Sequence, residues 1–399
     1  MDPLIASRLI LWSKAILRWP LRQLDVKNAF PNGTLTENVY LEQPSGFIDP
    51  YANTYLFIFH QQSDTIYMFL YIDDIIITGN NSSLLDSFAR KLNSEFATKD
   101  LGSLSYFLGL EATYTIDGLF ISQLIYAQDI LTRAQLLDSK PVHTPMVVSQ
   151  HLTGDGLAFL DPTLYRSLVG ALQYLTITRP DIVHAINSVS QFLHAPTTYH
   201  FLAVKGILRY VKGTLHFGLT FRPSAAFGAL VAYSNADWTD CPDTRRSTSG
   251  YSIYLGDNLV SLCAKKQPTL SNSSSEFEYR ALATTATELL WLTHLLHDLK
   301  VPISPMPILL CNNKNAIFLS SNHVSHKRAK HIELDYHFLR ELVVAGKLHT
   351  QYVPSHLQVA DLFTKSVSRS LFEFFRTKLH VRSNPTLNLR GSVKDTLPT

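Results

Sequence analysis

Two adjacent aspartates, Asp73 and Asp74, interrupt the apolar run FLYIDDIII at residues 69–77. The flanks are typical of a buried strand, and a buried carboxylate is costly unless it is paired or binds a metal. One interpretation is a turn between two strands that leaves both charges in water, the commoner case because aspartate often marks turns. The other is a divalent-metal site, since hard cations prefer carboxylate oxygens. Further residues are needed to decide between them.

A third carboxylate, Asp25, lies in the alternating stretch RQLDVKNAF. Leu24 and Val26 would face one side of a strand at residues 21–26, which turns Asp25 away from the core. The pattern then predicts a hairpin turned at residues 61–64, a helix over 82–98 and a hairpin turned at Asp117-Gly118. Together these elements predict a small antiparallel sheet with helices.

The composition is that of a folded protein of moderate charge. The chain has 399 residues, 46% hydrophobic and 17% charged, with a net charge of +3. This length predicts two or three domains, and the mild positive charge permits a polyanionic partner without requiring one. Cys241, Cys263 and Cys311 stand singly, without disulfide or zinc spacing, as is typical of a reducing compartment. No apolar run is long enough to span a membrane, so we expect a cytoplasmic or nuclear protein.

The middle of the chain is predicted to be helical. Residues 140–156 have little periodicity and two prolines, which predicts a linker, and helices follow over 162–175, 180–193 and 198–211. The last helix places Lys205, Arg209 and Lys212 along one stripe. Such a stripe is usually a solvated face, and the alternative is contact with nucleic-acid phosphates.

From residue 229 the pattern changes to strand, hairpin, helix, strand, two helices, strand and helix. This order predicts a mixed sheet covered by helices. After about residue 370 the sequence becomes polar, which predicts a loosely ordered tail. The predicted fold class of the whole chain is α+β or α/β.

Ten stretches along residues 15–370 resemble, in order, the reverse transcriptase and ribonuclease H regions of copia-type LTR retrotransposon Pol polyproteins. They are QLDVKNAF, VYLEQPSGF, FLYIDDIIITGN, YRSLVGALQYLTITRPDI, ILRYVKGTL, RRSTSGY, KKQPTLS, EYRALA, KHIELDYHFLRE and VADLFTK. The resemblance implies four regions. These are a truncated palm at 1–139 without fingers and without an internal block, a linker and helical thumb or connection at 140–225, a ribonuclease H-like mixed sheet with flanking helices at 226–370, and the tail at 371–399.

The resemblance also implies a polymerase centre on the palm, where the turn and metal interpretations of Asp73-Asp74 merge at a hairpin tip. Asp25 and Asp73, with Asp74 as a weaker ligand, would hold two Mg²⁺ or Mn²⁺ ions for nucleotide addition. The implied partners are an RNA template, a DNA primer and an RNA–DNA hybrid. A basic cluster, Lys327, Arg328 and Lys330, would face the hybrid or form a solvated helix start.

The ribonuclease H centre of the family uses four carboxylates around two metals. Glu278 and Asp361 match the second and fourth, although Glu278 also fits a capping box that starts at Ser275. Asn235 and Asn312 stand at the first and third, which removes two formal negative charges. Asp237 lies about 6.7 Å further along the strand, at about 3.3 Å per residue, so we do not expect it to replace Asn235.

Three hypotheses follow for the function. The chain is an active RNA-directed DNA polymerase with ribonuclease H, a catalytically impaired remnant, or a recruited module that binds nucleic acid without turnover. The departures from the family favour the impaired remnant. An internal block between residues 47 and 56 is expected to be missing, and metal ligands that do not position a substrate lose most of their catalytic advantage. Whether it is an enzyme and which oligomer it forms stay open.

Overall fold

A computed structural model describes residues 17, 19–26, 56–61, 63–71, 74–96, 98–148, 151–224, 226, 228–237, 245–271, 273–322 and 333–385. The chain forms two compact units, Met1–Leu108 and Gly109–Thr399. Both contain sheets with packed helices, which confirms the mixed α and β class. None of the described helices combines the length and apolarity needed to cross a membrane.

The first unit is built on an antiparallel sheet of order β2-β3-β4-β1-β5. Its strands are β1 (Leu21–Val26), β2 (Leu56–Gln61), β3 (Asp64–Tyr71), β4 (Asp74–Gly79) and β5 (Thr98–Ser103), and a short β6 (Tyr106–Phe107) follows. Helix α1 (Ser82–Phe96) begins where Asn81 accepts the backbone N–H of Ser83 and Leu84. Leu85 and Ala89 bury its apolar face against the sheet, which holds the hairpin of β3 and β4 in place.

The second unit begins with a hairpin and a helical bundle. Strands β7 (Leu110–Thr115) and β8 (Gly118–Ser122) turn at Asp117-Gly118 as predicted, and β8 pairs with β9 (Phe217–Phe221). The bundle comprises α2 (Leu124–Arg133), α3 (Pro162–Leu175), α4 (Val183–Ser190) after a 3₁₀ turn at Pro180–Ile182, and α5 (Thr198–Gly213). Asp161 and Thr197 cap α3 and α5, which explains where these helices begin.

A buried ion network fastens this bundle. The Arg179 guanidinium donates to both carboxylate oxygens of Asp181, at 3.0 and 2.8 Å, and to the Thr214 backbone oxygen at 3.0 Å. The Tyr210 hydroxyl donates to Asp181 at 2.5 Å and accepts from Arg376 at 3.1 Å. Arg179 and Asp181 are each 2% exposed, so the pair is fully desolvated. The network joins the turn before α4, which holds Asp181, to Tyr210 near the end of α5 and to Arg376 in the helix Arg369–Lys378.

The predicted loose tail after residue 370 is wrong for residues 371–385. Helix α10 (Arg369–Lys378) and strand β15 (Val381–Ser383) continue the fold, and β15 pairs with β9. Phe372 and Phe375, one turn apart, bury one face of α10, and Arg376 joins the ion network. Polar composition misled the prediction because one narrow apolar stripe is enough to dock a short helix. The compact units also divide at residue 108, whereas the predicted palm extended to 139.

The ribonuclease H-like part of the second unit has a mixed sheet of order β12-β11-β10-β13-β14. Its strands are β10 (Leu230–Asp237), β11 (Thr248–Leu255), β12 (Asn258–Lys266), β13 (Ile308–Cys311) and β14 (His349–Tyr352). The first three pair antiparallel, whereas β13 runs parallel to both β10 and β14. This confirms the predicted mixed sheet with flanking helices.

Four helices accompany this sheet: α6 (Ser274–Asp298), α7 (Lys314–Ser321), α8 (Glu333–Val344) and α9 (Asp361–Thr364). Helix α6 packs on β10 through Ala236, Phe277 and Ala281. On β11, a Cβ at Gly250 would lie 2.7 Å from the Cβ of Phe363 in α9, so only glycine permits this close approach. The ends of α6 and α9 are thereby brought to the carboxyl end of β10.

Candidate catalytic and nucleic-acid sites

The sheet of the first unit places two of the predicted metal ligands opposite each other, on the paired strands β1 and β4. Asp25 in β1 is the register partner of Asp74, the first residue of β4. Directly opposed side chains in an antiparallel pair lie about 4.5–5.5 Å apart at Cβ and share one face of the sheet. The Gln23 amide donates to Asp74 Oδ1 at 3.2 Å, which fixes that carboxylate. Asp73 lies outside the described residues.

The chemistry of Asp25 and Asp74 fits a hard cation, because both supply carboxylate oxygens at the same position of the paired strands β1 and β4. Within the part of the chain that the structure describes, however, no group of three or more His, Cys, Asp or Glu side chains could hold a metal ion. A third palm ligand would have to come from Asp73. The two interpretations of the aspartate pair, turn and metal site, are compatible, since β3 ends at Tyr71 and β4 begins at Asp74.

The ribonuclease H-like sheet brings Asn235 and Glu278 together at the end of β10. The Asn235 amide nitrogen donates to Thr364 Oγ1 at 2.7 Å, which links β10 to α9. The neighbouring backbone N–H of Ala236 donates to Glu278 Oε2 at 3.1 Å, which links β10 to α6. Glu278 is only 6% exposed, so its carboxyl group lies inside the contact between strand and helices.

Glu278 interacts with two other carboxylates, Asp361 and Asp237, and with the Lys365 ammonium. The pKa of Glu278 is raised to about 8, mainly by burial and in smaller part by the charges of Asp361 and Asp237. The hydrogen bond from Ala236 and the charge of Lys365 act in the opposite direction. Glu278 and Asp361 are therefore electrostatic neighbours, and Asp237 contributes charge to the centre although we did not expect it to replace Asn235.

Asp361 is paired with a lysine of its own helix end. Its Oδ2 lies 3.1 Å from Lys365 Nζ, whereas its Oδ1 is buried without a hydrogen-bond partner among the described residues. Burial raises the pKa of Asp361, and the ion pair with Lys365 lowers it in part. Sequence reasoning missed Lys365, although a lysine four residues after an aspartate on a helix is a recognisable ion-pair signal.

Asn312 follows β13 and lies at the same end of the sheet. Leu310 is in register with Tyr233 of the parallel strand β10, so continuing the pairing by two residues aligns Asn312 with Asn235. The Asn312 amide nitrogen donates weakly to Ser355 Oγ at 3.5 Å, and its buried Oδ1 has no partner among the described residues. The structure thus brings Asn235, Glu278, Asp361 and Asn312 to one end of the sheet. Their chemical role stays a prediction.

These four residues do not fit a two-metal centre. Two are neutral amides, and the Asp361 carboxylate has an internal ammonium partner in Lys365. A carboxylate offers a metal a formal charge and up to two oxygens, whereas an amide offers one neutral oxygen. Nothing among the described residues supplies the missing carboxylates, so we derive no metal-dependent step at this centre.

The predicted basic stripe on α5 has a structural use. The Arg209 guanidinium donates to the Lys140 backbone oxygen at 2.7 Å, and the Lys212 ammonium donates to the Ser139 backbone oxygen. Lys205 lies 4.9 Å from the centre of the Phe201 ring. Two of the three cations therefore hold the start of the predicted linker against the helix. The predicted hybrid-facing residues Lys327, Arg328 and Lys330 lie outside the described residues.

Comparison with known proteins agrees with the predicted resemblance. Residues 51–148 match the family model of the reverse transcriptase (RNA-dependent DNA polymerase). The chain is 40% identical over 96% of its length to the retrovirus-related Pol polyprotein from transposon RE1 of Arabidopsis thaliana, of which it spans 29%. It is 47% identical over 57% of its length to an uncharacterized mitochondrial protein of the same plant, of which it covers 94%.

A solved structure of the foamy viral protease–reverse transcriptase in complex with RNA/DNA hybrid aligns with 89% of the chain and 46% of that protein. The sequence identity is 11% and the TM-score is 0.45. The family assignment depends on the sequence relatives, which include a Pol polyprotein from transposon TNT 1-94 of Nicotiana tabacum, 32% identical over 94% of the chain. The chain belongs to the copia-type retrotransposon Pol family and corresponds to a segment of that polyprotein with a reverse transcriptase-like domain.

Proposed function

We propose that this chain is a reverse transcriptase and ribonuclease H segment that binds RNA–DNA hybrids but is catalytically impaired. The observation that carries the proposal is the centre at the end of β10. There, Asn235 and Asn312 stand at the positions where the family resemblance predicts the first and third metal ligands, and Lys365 pairs with Asp361.

The loss of ribonuclease H activity follows from charge. Two divalent ions bring four positive charges into one site, and carboxylates are the groups that balance them. With two of four carboxylates replaced by amides, and with the Lys365 ammonium already beside Asp361, the centre offers the ions too little negative charge. The residual carboxyl of Glu278 is engaged by the Ala236 backbone N–H, which stabilises the local fold without metal.

We propose that the polymerase activity is weakened because the substrates are poorly positioned, and not because metal ligands are missing. Asp25 and Asp74 are cross-strand partners and, with Asp73, would hold Mg²⁺ or Mn²⁺. The alignment with the RE1 polyprotein extends over 427 residues although this chain has 399, so the relative carries positions without a counterpart here. A gap between residues 47 and 56 would remove walls of the nucleotide pocket, and misplaced reactants lose much of the rate. The alternative, an active polymerase, is favoured by the pairing of Asp25 with Asp74 alone.

The test combines hybrid cleavage and primer extension with Mg²⁺ and with Mn²⁺. The unaltered chain is compared with Asn235→Asp/Asn312→Asp, with the same double variant carrying Glu278→Gln, with Glu278→Gln alone, and with Asp73→Asn. We expect no hybrid cleavage by the unaltered chain, cleavage by the double variant, and none by the triple variant. The triple variant is the matched control because it keeps both restored aspartates and removes one carboxylate charge.

Three results would contradict the proposal or a part of it. Hybrid cleavage by the unaltered chain that disappears in Glu278→Gln would show that the asparagines suffice for metal binding. Primer extension by the unaltered chain that is lost in Asp73→Asn would show that the palm positions its substrates despite the expected gap. Hybrid binding is measured separately by fluorescence anisotropy, so a chain that neither binds nor cleaves would refute the binding part of the proposal.

A further inference from the structure

Four basic residues meet at the end of the ribonuclease H-like sheet that holds the degenerate centre. Thr248, at the start of β11, is the register partner of Asp237 on one side and of Lys266 on the other. The Gln267 backbone N–H donates to the Ser247 backbone oxygen at 2.8 Å, which continues this pairing by one step. Arg245 and Arg246, which precede β11, are therefore brought to the end of β12, where Lys265 and Lys266 lie.

Three of these cations are presented to solvent. Arg245, Arg246 and Lys265 are exposed, and none of their side chains makes a hydrogen bond or an ion pair with another described residue. Lys266 differs, because it is half-buried and donates to Gln191 Oε1 at 3.0 Å. We call Arg245, Arg246 and Lys265 the basic edge.

The loop beside the basic edge is fixed to the helix that carries Glu278. Gln267 is 4% exposed, and its amide donates to Ser249 Oγ at 2.8 Å and to the Phe277 backbone oxygen at 2.9 Å. The Arg280 guanidinium donates to the Leu270 backbone oxygen at 3.2 Å. These contacts fix the segment that follows Lys265 and Lys266 against α6, and a preordered surface loses less entropy when it binds.

The spacing suits one strand of a duplex. Lys265 pairs with Ser249, and Ser249 pairs with Ala236, the neighbour of Asn235. Two strand spacings of about 4.8 Å put the Lys265 backbone about 10 Å from the Ala236 backbone at the end of β10, and both residues lie on the face of the sheet that α6 covers. Successive phosphates of one strand advance about 3.4 Å along the helix axis, so about three nucleotides separate the centre from the basic edge.

We propose that the basic edge binds consecutive phosphates of one strand of an RNA–DNA hybrid that lies over the degenerate centre. This inference rests on the proposed hybrid binding and names the residues that supply it. It explains how a centre without a full metal-ligand set could still retain nucleic acid, because phosphate contacts by arginine and lysine supply most non-specific affinity.

The test is fluorescence anisotropy of a labelled RNA–DNA hybrid, measured against salt concentration with the full chain. Arg246→Ala/Lys265→Ala is compared with Lys300→Ala/Lys347→Ala. The control pair is exposed and lies at the opposite end of the sheet, after α6 and before β14. Thermal unfolding of each variant checks that the fold is kept.

We expect the basic-edge variant to bind the hybrid about tenfold or more weakly at low salt. Each lost phosphate contact should lower the slope of log affinity against log salt by about 0.9, so this variant should lose about 2 units of slope. The control variant should keep the slope of the unaltered chain. If the unaltered chain binds the hybrid tightly and both variants lose the same affinity, the basic edge is not the phosphate-binding surface. The proposal of hybrid binding itself would stand. No binding by the unaltered chain would refute both.

Discussion

The buried ion pair between Arg179 and Asp181 makes a quantitative prediction about folding. The substitution Asp181→Asn keeps nearly the same shape but removes the charge, and it replaces one of two acceptor oxygens by a donor. Arg179 would then lose one of its two contacts to residue 181, at 3.0 and 2.8 Å, while keeping those to Thr214. Because Arg179 is 2% exposed, water cannot replace the missing partner.

The expected cost is that of a buried and uncompensated charge, about 3–5 kcal/mol. At about 1.4 kcal/mol for each factor of ten, this corresponds to a rise of about two to three and a half orders of magnitude in the local opening constant. The matched control is Asp129→Asn, which breaks the exposed pair of Asp129 with Arg133 at 3.0 Å and should cost only about 0.3–0.5 kcal/mol.

Hydrogen exchange followed by mass spectrometry measures this difference at the right place. Helix α5 carries Tyr210, which bonds to Asp181. The amides of α5 should exchange about two to three and a half orders of magnitude faster in Asp181→Asn, whereas their exchange rate in Asp129→Asn should stay almost unchanged. Equal exchange in the two variants would refute the reasoning, because it would mean that the buried pair contributes no more than a surface pair.

The same pair predicts a response to acid. Burial alone would raise the pKa of Asp181, but the Arg179 charge and the hydrogen bonds from Arg179 and Tyr210 outweigh it and hold the pKa below its ordinary value of 3.8. A lowered folded-state pKa stabilises the fold above the unfolded value, and this contribution is lost as the pH falls through the folded value. The stability difference between the unaltered chain and Asp181→Asn should stay constant from pH 7 to pH 5 and shrink below about pH 4.

Two further predictions concern the second unit. Gly250→Ala should lower its stability by about 1–3 kcal/mol, because the new Cβ would lie 2.7 Å from Phe363 and 2.8 Å from Thr364. Gly170→Ala, in α3 with nothing within 4 Å, should instead stabilise it by about 0.4–1 kcal/mol, and thermal unfolding distinguishes the two signs. Cys263 and Cys311 should resist iodoacetamide at pH 8 in the native protein, because burial raises the pKa of Cys263 to about 11 and that of Cys311 as well. Peptide mass spectrometry would contradict this if native labelling matched that in denaturant.

Several features could be predicted from the sequence because they depend on neighbouring residues. Alternation and turn chemistry place the hairpins at residues 61–64 and 117–118, where the structure has them. The ordered motifs also predicted the family, since many short matches in one order are specific even when each is weak. Asn235 and Asn312 were recognised as departures in the same way.

Other features were decided only by tertiary contacts between distant residues. The Asn235 bond to Thr364 spans 129 positions, and the Glu278 contact with the Ala236 backbone spans 42. The packing of α6 and α9 against β10 sets both contacts, and no local sequence pattern reports it. The stripe on α5 shows the same limit, because spacing predicted one basic face but could not reveal that Arg209 and Lys212 bind backbone oxygens at residues 140 and 139. Local periodicity determines which elements form and which face is apolar, whereas the partner of each polar side chain depends on which elements the fold brings together.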